Sequence, residues 1–310
     1  MADNCPVMID DLLQEGGLSL DRLQSFCRVA EAGGVTKAAK GDPARQSLFS
    51  RQIKELEEFF GVELVRRKGR GIALTSAGER LHQLAREQLL ALSDFKKAGT
   101  GESVQVTVAA GDSLIQWVLF RKLADLRHRL SDVSFRVLNL PTTEIVSRLR
   151  DGTVDVGLVR EGSIARPLQA SPLGTMTFSA FVPAQMFPGT KLSAKALAKL
   201  PLATLEGTGQ FRQELDRLFA RQKLAPNIQL ELSSFPLVAR AVQMGGCAAI
   251  LPRNAAAELE QSEAVELKLD VLRPLNRGIV LAWNPRMARI RAAVGKAIPA
   301  FRELCRMEST

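Results

Sequence analysis

The stretch that decides the fold runs from Gly33 to Glu57 and reads GGVTKAAKGDPARQSLFSRQIKELE. Its glycine pair ends an amphipathic helix that Ser19 is placed to cap, and a short helix is predicted next, at about residues 36–40. A turn follows, in which Asp42 precedes a proline and can cap a second helix predicted at about residues 45–60. Two helices joined by such a turn predict a helix-turn-helix.

The second helix of this motif has one apolar and one polar side. The apolar residues, which we expect to face inward, are Leu48, Phe49, Ile53, Leu56 and Phe60. The polar residues, which we expect to face outward, are Gln46, Ser47, Ser50, Arg51 and Lys54. In a DNA major groove Gln pairs with adenine and Arg with guanine, whereas Ser reaches phosphates or either base. An ordinary solvent-exposed helix would share this pattern, but the motif spacing and a neighbouring basic segment favour DNA binding.

The segment after the motif predicts a hairpin and a long helix. Two short apolar runs, 62–65 and 72–74, flank a basic tip with two glycines, which is typical of a β-hairpin or wing. Ser76 with Glu79 has the spacing of a capping box and opens a helix that reaches about residue 97. Its heptad-spaced side chains predict a dimerisation seam, although packing on its own domain would give a similar pattern. The seam residues are Leu81, Ala85, Gln88, Leu92 and Phe95.

From residue 104 onward, strand-like and helical segments alternate, which predicts an α/β fold with largely parallel sheets in two lobes around a cleft. The sequence is therefore divided into a flexible extension (1–17), a winged helix-turn-helix domain (18–75), a dimerising linker helix with a hinge (76–101) and a regulatory domain (102–310). Within the last of these, lobe I is expected at about 102–163 and 272–310, and lobe II at about 164–271.

Composition narrows the function classes. A net charge of +9 favours a polyanionic partner, because cations set against phosphates release counterions. The four cysteines and two histidines lie in no metal-ligand spacing, so we expect neither a metal nor a cofactor. No export signal and no run near the roughly 18 apolar residues of a membrane span is present, which predicts a soluble, cytoplasmic protein.

Several short motifs follow one another along the N-terminal region. They are Val29-Ala30-Glu31, Thr36-Lys37-Ala38-Ala39, Ser50-Arg51-Gln52-Ile53, Gly61-Val62 and Ala77-Gly78-Glu79. In this order and spacing the N-terminal region resembles the LysR-type transcriptional regulators. The resemblance implies that Thr36 and Lys37 brace the phosphate backbone. It also implies that Arg45, Gln46, Ser47, Ser50 and Arg51 face the groove and that Arg67 and Arg70 lie on the wing. The chain departs from the family at Asp42, Arg45 and Ser47, where Leu, a small hydroxyl residue and Pro are usual.

Residues from about 104 to 305 resemble the family's effector domain, which is periplasmic-binding-protein-like, through segments such as Arg150-Asp151-Gly152, 154–158 and Leu251-Pro252. The resemblance implies a small-molecule site where helices begin, since a helix N-terminus attracts anions. By the resemblance, the residues that contact the effector are Ser113, Thr142 and Thr143, with Thr204 and Ser234 from the second lobe. Arg160 could offset the negative charge of Asp112. Each hydroxyl could instead be a helix cap, and Arg160 a surface cation.

The sequence thus predicts a non-enzymatic regulator: a homo-oligomer, dimeric and in this family usually tetrameric, that binds an inverted repeat in double-stranded DNA. By the resemblance it contacts RNA polymerase in response to a small-molecule effector. Three other classes stay open. An enzyme would need a motif of the G-x-G-x-x-G or P-loop type, and a solute-binding protein would need export. A DNA-binding regulator could lack a ligand or respond to oxidants through Cys247, although a buried apolar role is favoured for that cysteine.

Overall fold

In a computed structural model of the chain, residues 16–69, 71–187, 189 and 192–307 are described. The chain divides between Glu102 and Ser103 into two compact units, each with its own core. Arg70 and all but the last two residues of the predicted extension lie outside the described residues.

The first unit is a helix-turn-helix with a hairpin and a long helix. Its elements are α1 (Leu20–Ala32), α2 (Val35–Ala38), α3 (Pro43–Phe60), β1 (Val65–Lys68), β2 (Gly71–Leu74) and α4 (Ser76–Gly99). β1 and β2 pair antiparallel as the predicted wing. The core is formed by Phe26, Val29, Ala39, Phe49, Ile53, Leu56 and Leu64. Leu48 and Phe60 are 38% and 37% exposed, so their predicted inward orientation was wrong.

Short polar side chains cap the three long helices of the first unit, α1, α3 and α4. The Ser19 hydroxyl accepts the N–H of Arg22 at 3.2 Å, which confirms it as the cap of α1. Thr75, not Ser76, caps α4: its Oγ1 accepts the N–H of Gly78 at 3.0 Å. The cap therefore lies one residue before the predicted Ser76, and the predicted capping box is not formed, because Gly78 has no side chain to bond back to the cap. A Cβ on Gly78 would overlap the carbonyl oxygen of Leu64, so a glycine lets α4 begin close against the hairpin.

The second unit contains two sheets. Its strands are β3 (Val104–Ala110), β4 (Val133–Asn139), β5 (Val156–Arg160), β6 (Gln169–Met176), β7 (Phe178–Pro183), β8 (Leu202–Leu205), β9 (Ile228–Leu232), β10 (Ala248–Pro252), β11 (Ala264–Leu267) and β12 (Arg277–Trp283). One five-stranded sheet has the order β4-β3-β5-β12-β6, and the other β11-β7-β10-β8-β9. Each has three parallel strands, and the remaining pairings are antiparallel.

The helices of the second unit cover these sheets. They are α5 (Asp112–Leu114), α6 (Leu123–Arg129), α7 (Thr142–Arg150), α8 (Ala194–Lys199), α9 (Gln210–Arg221), α10 (Phe235–Gln243), α11 (Ala256–Leu259), α12 (Pro285–Ile290) and α13 (Ala292–Leu304). The helix predicted at about 114–130 is interrupted: a π-helical turn, Ile115–Leu119, and a 3₁₀ turn, Phe120–Lys122, separate α5 from α6.

Two single residues join the lobes. Thr177 connects β6 to β7, and Asn276 connects the 3₁₀ segment Asp270–Leu275 to β12. The N–H of Phe178 donates to the Asn276 side chain at 3.3 Å, so the two crossovers are linked to each other. Because β6 pairs with β12, lobe I extends to Met176, and the predicted boundary near residue 163 was wrong. The error arose because the sequence of β6, which follows three parallel strands, does not indicate which of the two sheets it joins.

A buried ion pair ties the end of the chain to the lobe I sheet. The Arg291 guanidinium bonds to the Asp155 carboxylate, and these side chains are 6% and 3% exposed. Asp155 also accepts the N–H of Thr107 at 2.8 Å, and Arg291 donates to the carbonyl of Gln105 at 2.8 Å. These bonds offset the cost of burying both charges.

Candidate nucleic-acid interface and effector cleft

Helix α3 presents the predicted cations to solvent. The side chains of Arg45, Arg51 and Lys54 are 63%, 70% and 77% exposed. Each lies near a carboxylate of its own helix or cap, at 3.4–3.6 Å. Such exposed pairs contribute only about 0–1 kcal/mol, so a phosphate or a base edge can replace the carboxylate at little cost. Ser47 and Ser50 are exposed as well, and Gln46 is half-buried.

Asp42 fixes the start of this helix. Its Oδ1 accepts the N–H of Ala44 at 2.9 Å and that of Arg45 at 3.3 Å, which confirms the cap predicted from sequence. Its Oδ2 lies 3.4 Å from Nε of Arg45. One carboxylate thus orders the first turn of α3 and lies beside the Arg45 guanidinium.

Further exposed cations flank α3. Lys37 on α2 and Arg67 on β1 are exposed as predicted, and so is Thr36. Sequence reasoning did not select Arg28 and Lys40, which line a groove of about 540 Å³ together with Lys37 and Arg45. Arg28 lies on the exposed side of α1, and that position in the helical repeat was the signal that could have identified it. Arg70, predicted on the wing, lies outside the described residues.

The predicted seam on α4 divides into two parts. Leu81 packs on the core of the first unit, and Ala85 is only 2% exposed, so Ala85 has no surface to offer a partner and its assignment was wrong. Gln88 is exposed, and Leu92 and Phe95 are 48% and 80% exposed. Leu84, at 46%, was missed. The exposed apolar stripe therefore consists of Leu84, Leu92 and Phe95, with Gln88 between them.

In lobe I, four predicted effector residues lie at the ends of three adjacent parallel strands. Ala110 at the end of β3 pairs with Asn139 of β4 and Leu158 of β5. Ser113 in α5, Thr142 and Thr143 at the start of α7, and Arg160 at the end of β5 therefore share one sheet edge. No side-chain cap bond is formed at the start of α5 or α7 within the described chain, so the helix-cap alternative does not hold for these three hydroxyls.

Lobe II contributes its own carboxyl edge. Thr204 of β8 pairs with Glu231 of β9, and Ser234 follows β9. Ser234 caps α10, because its hydroxyl accepts the N–H of Leu237 at 3.4 Å. The helix-cap alternative is therefore confirmed for this residue. Thr204 is 5% exposed, and its hydroxyl has no hydrogen-bond partner among the described residues. Since α5 contacts α10, the edges of the two lobes that carry these residues meet.

An arginine that sequence reasoning missed lies near this edge. The Arg277 guanidinium lies 5.9 Å and 5.7 Å from the ring centroids of Phe178 and Phe211, and it binds Glu214 at 2.7 Å. Burial lowers the pKa of Arg277, against the opposing effect of Glu214, and the charge of Arg160 lowers it further. Arg160 is half-buried and lies close enough to Arg277 for its charge to affect the pKa of that residue.

The described cysteines, Cys27, Cys247 and Cys305, are free and buried. Cys247 is 7% exposed and packs in an apolar cluster of lobe II, and burial raises its pKa. A thiol in this state forms little thiolate at neutral pH, which favours the apolar role over redox sensing.

Two further properties concern the part of the chain that the structure describes. There, no helix is both long and apolar enough to cross a membrane. Within the same residues, no three His, Cys, Asp or Glu side chains come together as a metal site.

Comparisons with known proteins agree with this architecture. Residues 20–79 match the bacterial regulatory helix-turn-helix protein, lysR family, and residues 99–308 match the LysR substrate binding domain. A probable nitrogen assimilation transcriptional activator from Synechococcus elongatus is 27% identical over 94% of this chain and 96% of its own.

Solved structures show the same fold. A variant of full-length OxyR from Pseudomonas aeruginosa is 18% identical, with a TM-score of 0.65 over 94% of this chain and 98% of that chain. Full-length LysG from Corynebacterium glutamicum with bound effector Arg is 21% identical, with a TM-score of 0.58 over 91% and 99%. The matched family is one of transcriptional regulators, which is not an enzyme class. With both of its domains present in the expected order, the chain belongs to the LysR family of transcriptional regulators.

Proposed function

We propose that this regulator reads an inverted repeat through the outer face of α3 and that a small effector in the cleft of the second unit alters its action on transcription. The observation that carries the proposal is the division of α3. Phe49, Ile53 and Leu56 are buried in the core, while Arg45, Arg51 and Lys54 point to solvent from a first turn capped by Asp42. A rigid helix with cations on its free face suits the major groove.

The DNA contacts divide by chemistry. We assign base reading to Arg51, together with its neighbour Ser50 and with Gln46 one turn before Ser50, because guanidinium and amide groups match base edges. Lys37 and Arg67, exposed on α2 and the wing, would contact phosphates on either side. Their removal would weaken binding to all sequences alike.

The functional molecule would be a dimer formed through α4. Leu84, Leu92 and Phe95 expose an apolar stripe along one side of this helix, and burying it against a second copy would remove that surface from water. A twofold dimer places its recognition helices about one DNA turn apart, which requires an inverted repeat. Such a protein acts on the chromosome, and we therefore place it in the cytoplasm.

The effector would bind where the carboxyl edges of the two sheets meet. Hydrogen-bond donors are supplied by the buried hydroxyl of Thr204, which has no partner among the described residues, and by the hydroxyls of Ser113 and Thr142, which do not cap their helices. The half-buried Arg160 supplies one positive charge. A buried hydroxyl costs free energy unless something bonds to it. Bound effector in the LysG structure, which has the same fold, adds support.

Footprinting on captured genomic sites tests the DNA assignment. Arg51→Ala should weaken binding to the captured site by about 1–3 kcal/mol and relax base preference at one position of each half-site. Arg273→Ala is the matched control, because it removes a side chain of similar exposure, 77% against 70%, from the second unit. Unchanged affinity and base preference in Arg51→Ala, or an equal loss in the control, would show that Arg51 does not read a base.

A further inference from the structure

A cavity of about 370 Å³ opens beside the Thr177 crossover of the second unit. Trp117, Arg121 and Lys122 line it from the turns that follow α5, and Arg306 lines it from beyond α13. Arg253 and Asn254, which follow β10 of lobe II, line the other side. None of the six predicted effector residues is among the lining residues, so this cavity is separate from the effector cleft.

The cavity is strongly cationic. Arg121, Lys122, Arg253 and Arg306 all line it, and none of the described lining residues is acidic. Glu266 neutralises Arg253, with Oε1 at 2.7 Å from Nε. The other three cations form no ion pair with a carboxylate of the described residues, although their side chains share one concave surface. Like charges gathered in a concavity repel one another and raise the local positive potential, which favours an anion there.

A second carboxylate of lobe II, that of Glu258, is also engaged. Glu258 Oε2 accepts bonds from Trp117 Nε1 and Gln116 Nε2, each at 2.7 Å. These bonds fix the indole that lines the cavity and join the two lobes. Arg121 is oriented in a similar way, since its Nη2 donates to the carbonyl of Asn254 at 3.2 Å. Both side chains are therefore positioned before any ligand arrives.

The remaining lining suits a small molecule with polar ends. The hydroxyls of Thr175 and Thr177 and the amide of Asn254 can bond to anionic oxygens, and the buried faces of Trp117 and Met307 form an apolar floor. The volume falls in the range of about 300–1,000 Å³ that is usual for ligand pockets. Guanidinium groups match carboxylate and phosphate oxygens in pairs.

We propose that this cavity binds a small anion bearing two or more phosphate or carboxylate groups and that the ligand bridges the lobes. Arg121, Lys122 and Arg306 belong to lobe I, whereas Arg253 and Asn254 belong to lobe II. An anion bound to both sets stabilises the lobe arrangement in which they face one cavity. The protein would thus have a second regulatory site besides the effector cleft.

Titration of the full chain tests the proposal. Pyrophosphate and citrate serve as the phosphate and carboxylate probes, with sodium chloride at matched ionic strength as the reference. Trp117 fluorescence is followed in a Trp283→Phe background, because these are the two tryptophans of the chain. We expect a saturable change with at least one probe. A response to pyrophosphate alone identifies a phosphate ligand, and a response to citrate alone a carboxylate ligand.

Variants locate the site. Arg121→Gln combined with Arg306→Gln should weaken binding by about ten- to a hundredfold, because two charge-assisted hydrogen-bond donors are lost and both side chains are exposed enough to be partly screened. Arg302→Gln, an exposed cation of α13 outside the cavity, should bind as the parent does. If the double variant unfolds, each single variant is titrated instead. No response beyond the chloride reference with either probe, or an equal loss in Arg302→Gln, overturns the proposal.

Discussion

Replacing Asp42 by alanine removes the group that begins the recognition helix α3. Two backbone donors, the N–H groups of Ala44 and Arg45, lose an acceptor that lies 2.9 Å and 3.3 Å away. The Arg45 side chain loses its partner at 3.4 Å. Asp42→Asn keeps an oxygen that can cap the helix but removes the charge, so the two variants separate the cap from the ion pair.

The magnitude follows from these contacts. A lost N-cap costs about 1 kcal/mol, and the charge at the helix N-terminus adds about 0.3–1 kcal/mol. The pair with Arg45, whose side chains are 63% and 46% exposed, adds at most a few tenths. Asp42→Ala should therefore destabilise the first turn by about 1–2 kcal/mol, and Asp42→Asn by less than about 1 kcal/mol. Both variants lose one negative charge near the DNA, so both should bind non-specific DNA more tightly.

Hydrogen exchange is the suitable assay, because Trp117 and Trp283 both lie in the second unit and intrinsic fluorescence does not report on α3. Peptides covering residues 42–50 should exchange about five- to thirtyfold faster in Asp42→Ala than in the parent chain, and less than about fivefold faster in Asp42→Asn. Equal exchange in Asp42→Ala and the parent would refute the cap. Equal acceleration in both variants would show that charge, not the hydrogen-bond acceptor, orders the turn.

Three other predictions follow from buried or exposed side chains. Arg291→Met removes the guanidinium that offsets the charge of the buried Asp155 carboxylate. Urea unfolding should therefore show a free energy of unfolding lower by about 3–5 kcal/mol, and a decrease below about 1 kcal/mol would contradict this account. Phe95→Asp should leave helix content unchanged and weaken the dimer at least about tenfold in sedimentation; an unchanged dimer would exclude the α4 stripe as the interface. Burial raises the pKa of Cys27 from 9.0 to about 11, so the unfolded chain ionises first and stability falls as the pH rises through that interval. Cys27→Ala should lack this part of the decline, and the same pH profile in both chains would contradict it.

The local features of the first unit were predictable because they depend on neighbours in sequence. Ser19 and Asp42 bond to N–H groups two or three residues away, so their patterns alone identify the caps. The error at Ser76 shows the limit of this kind of inference. Thr75 and Ser76 are both good caps, and the choice depends on where the chain leaves the hairpin. The Thr75 hydroxyl also donates to the carbonyl of Glu63 at 2.6 Å, a contact with a distant residue that no local pattern reveals.

Features that depend on distant contacts were missed. Ala85 fitted the heptad as well as Leu92 did, but whether each is buried depends on which part of α4 passes over α1. Arg277 enters the candidate site because Phe178 and Phe211, about a hundred and about seventy residues earlier, pack around it. Arg121 and Asn254 are likewise 133 residues apart. Such groupings arise from topology, and a reading of periodicity cannot supply them.

The paired single-residue crossovers, Thr177 and Asn276, limit how the lobes can move. With both connections short, adjacent and hydrogen-bonded to each other, relative motion is confined to rotation about one hinge line. Any two ligands that each touch both lobes then act on the same angular coordinate. Thermodynamic linkage requires that, if one ligand changes the affinity for the second by some factor, the second changes the affinity for the first by the same factor. A single coupling constant, measured in either direction, would therefore describe how this regulator combines two chemical signals.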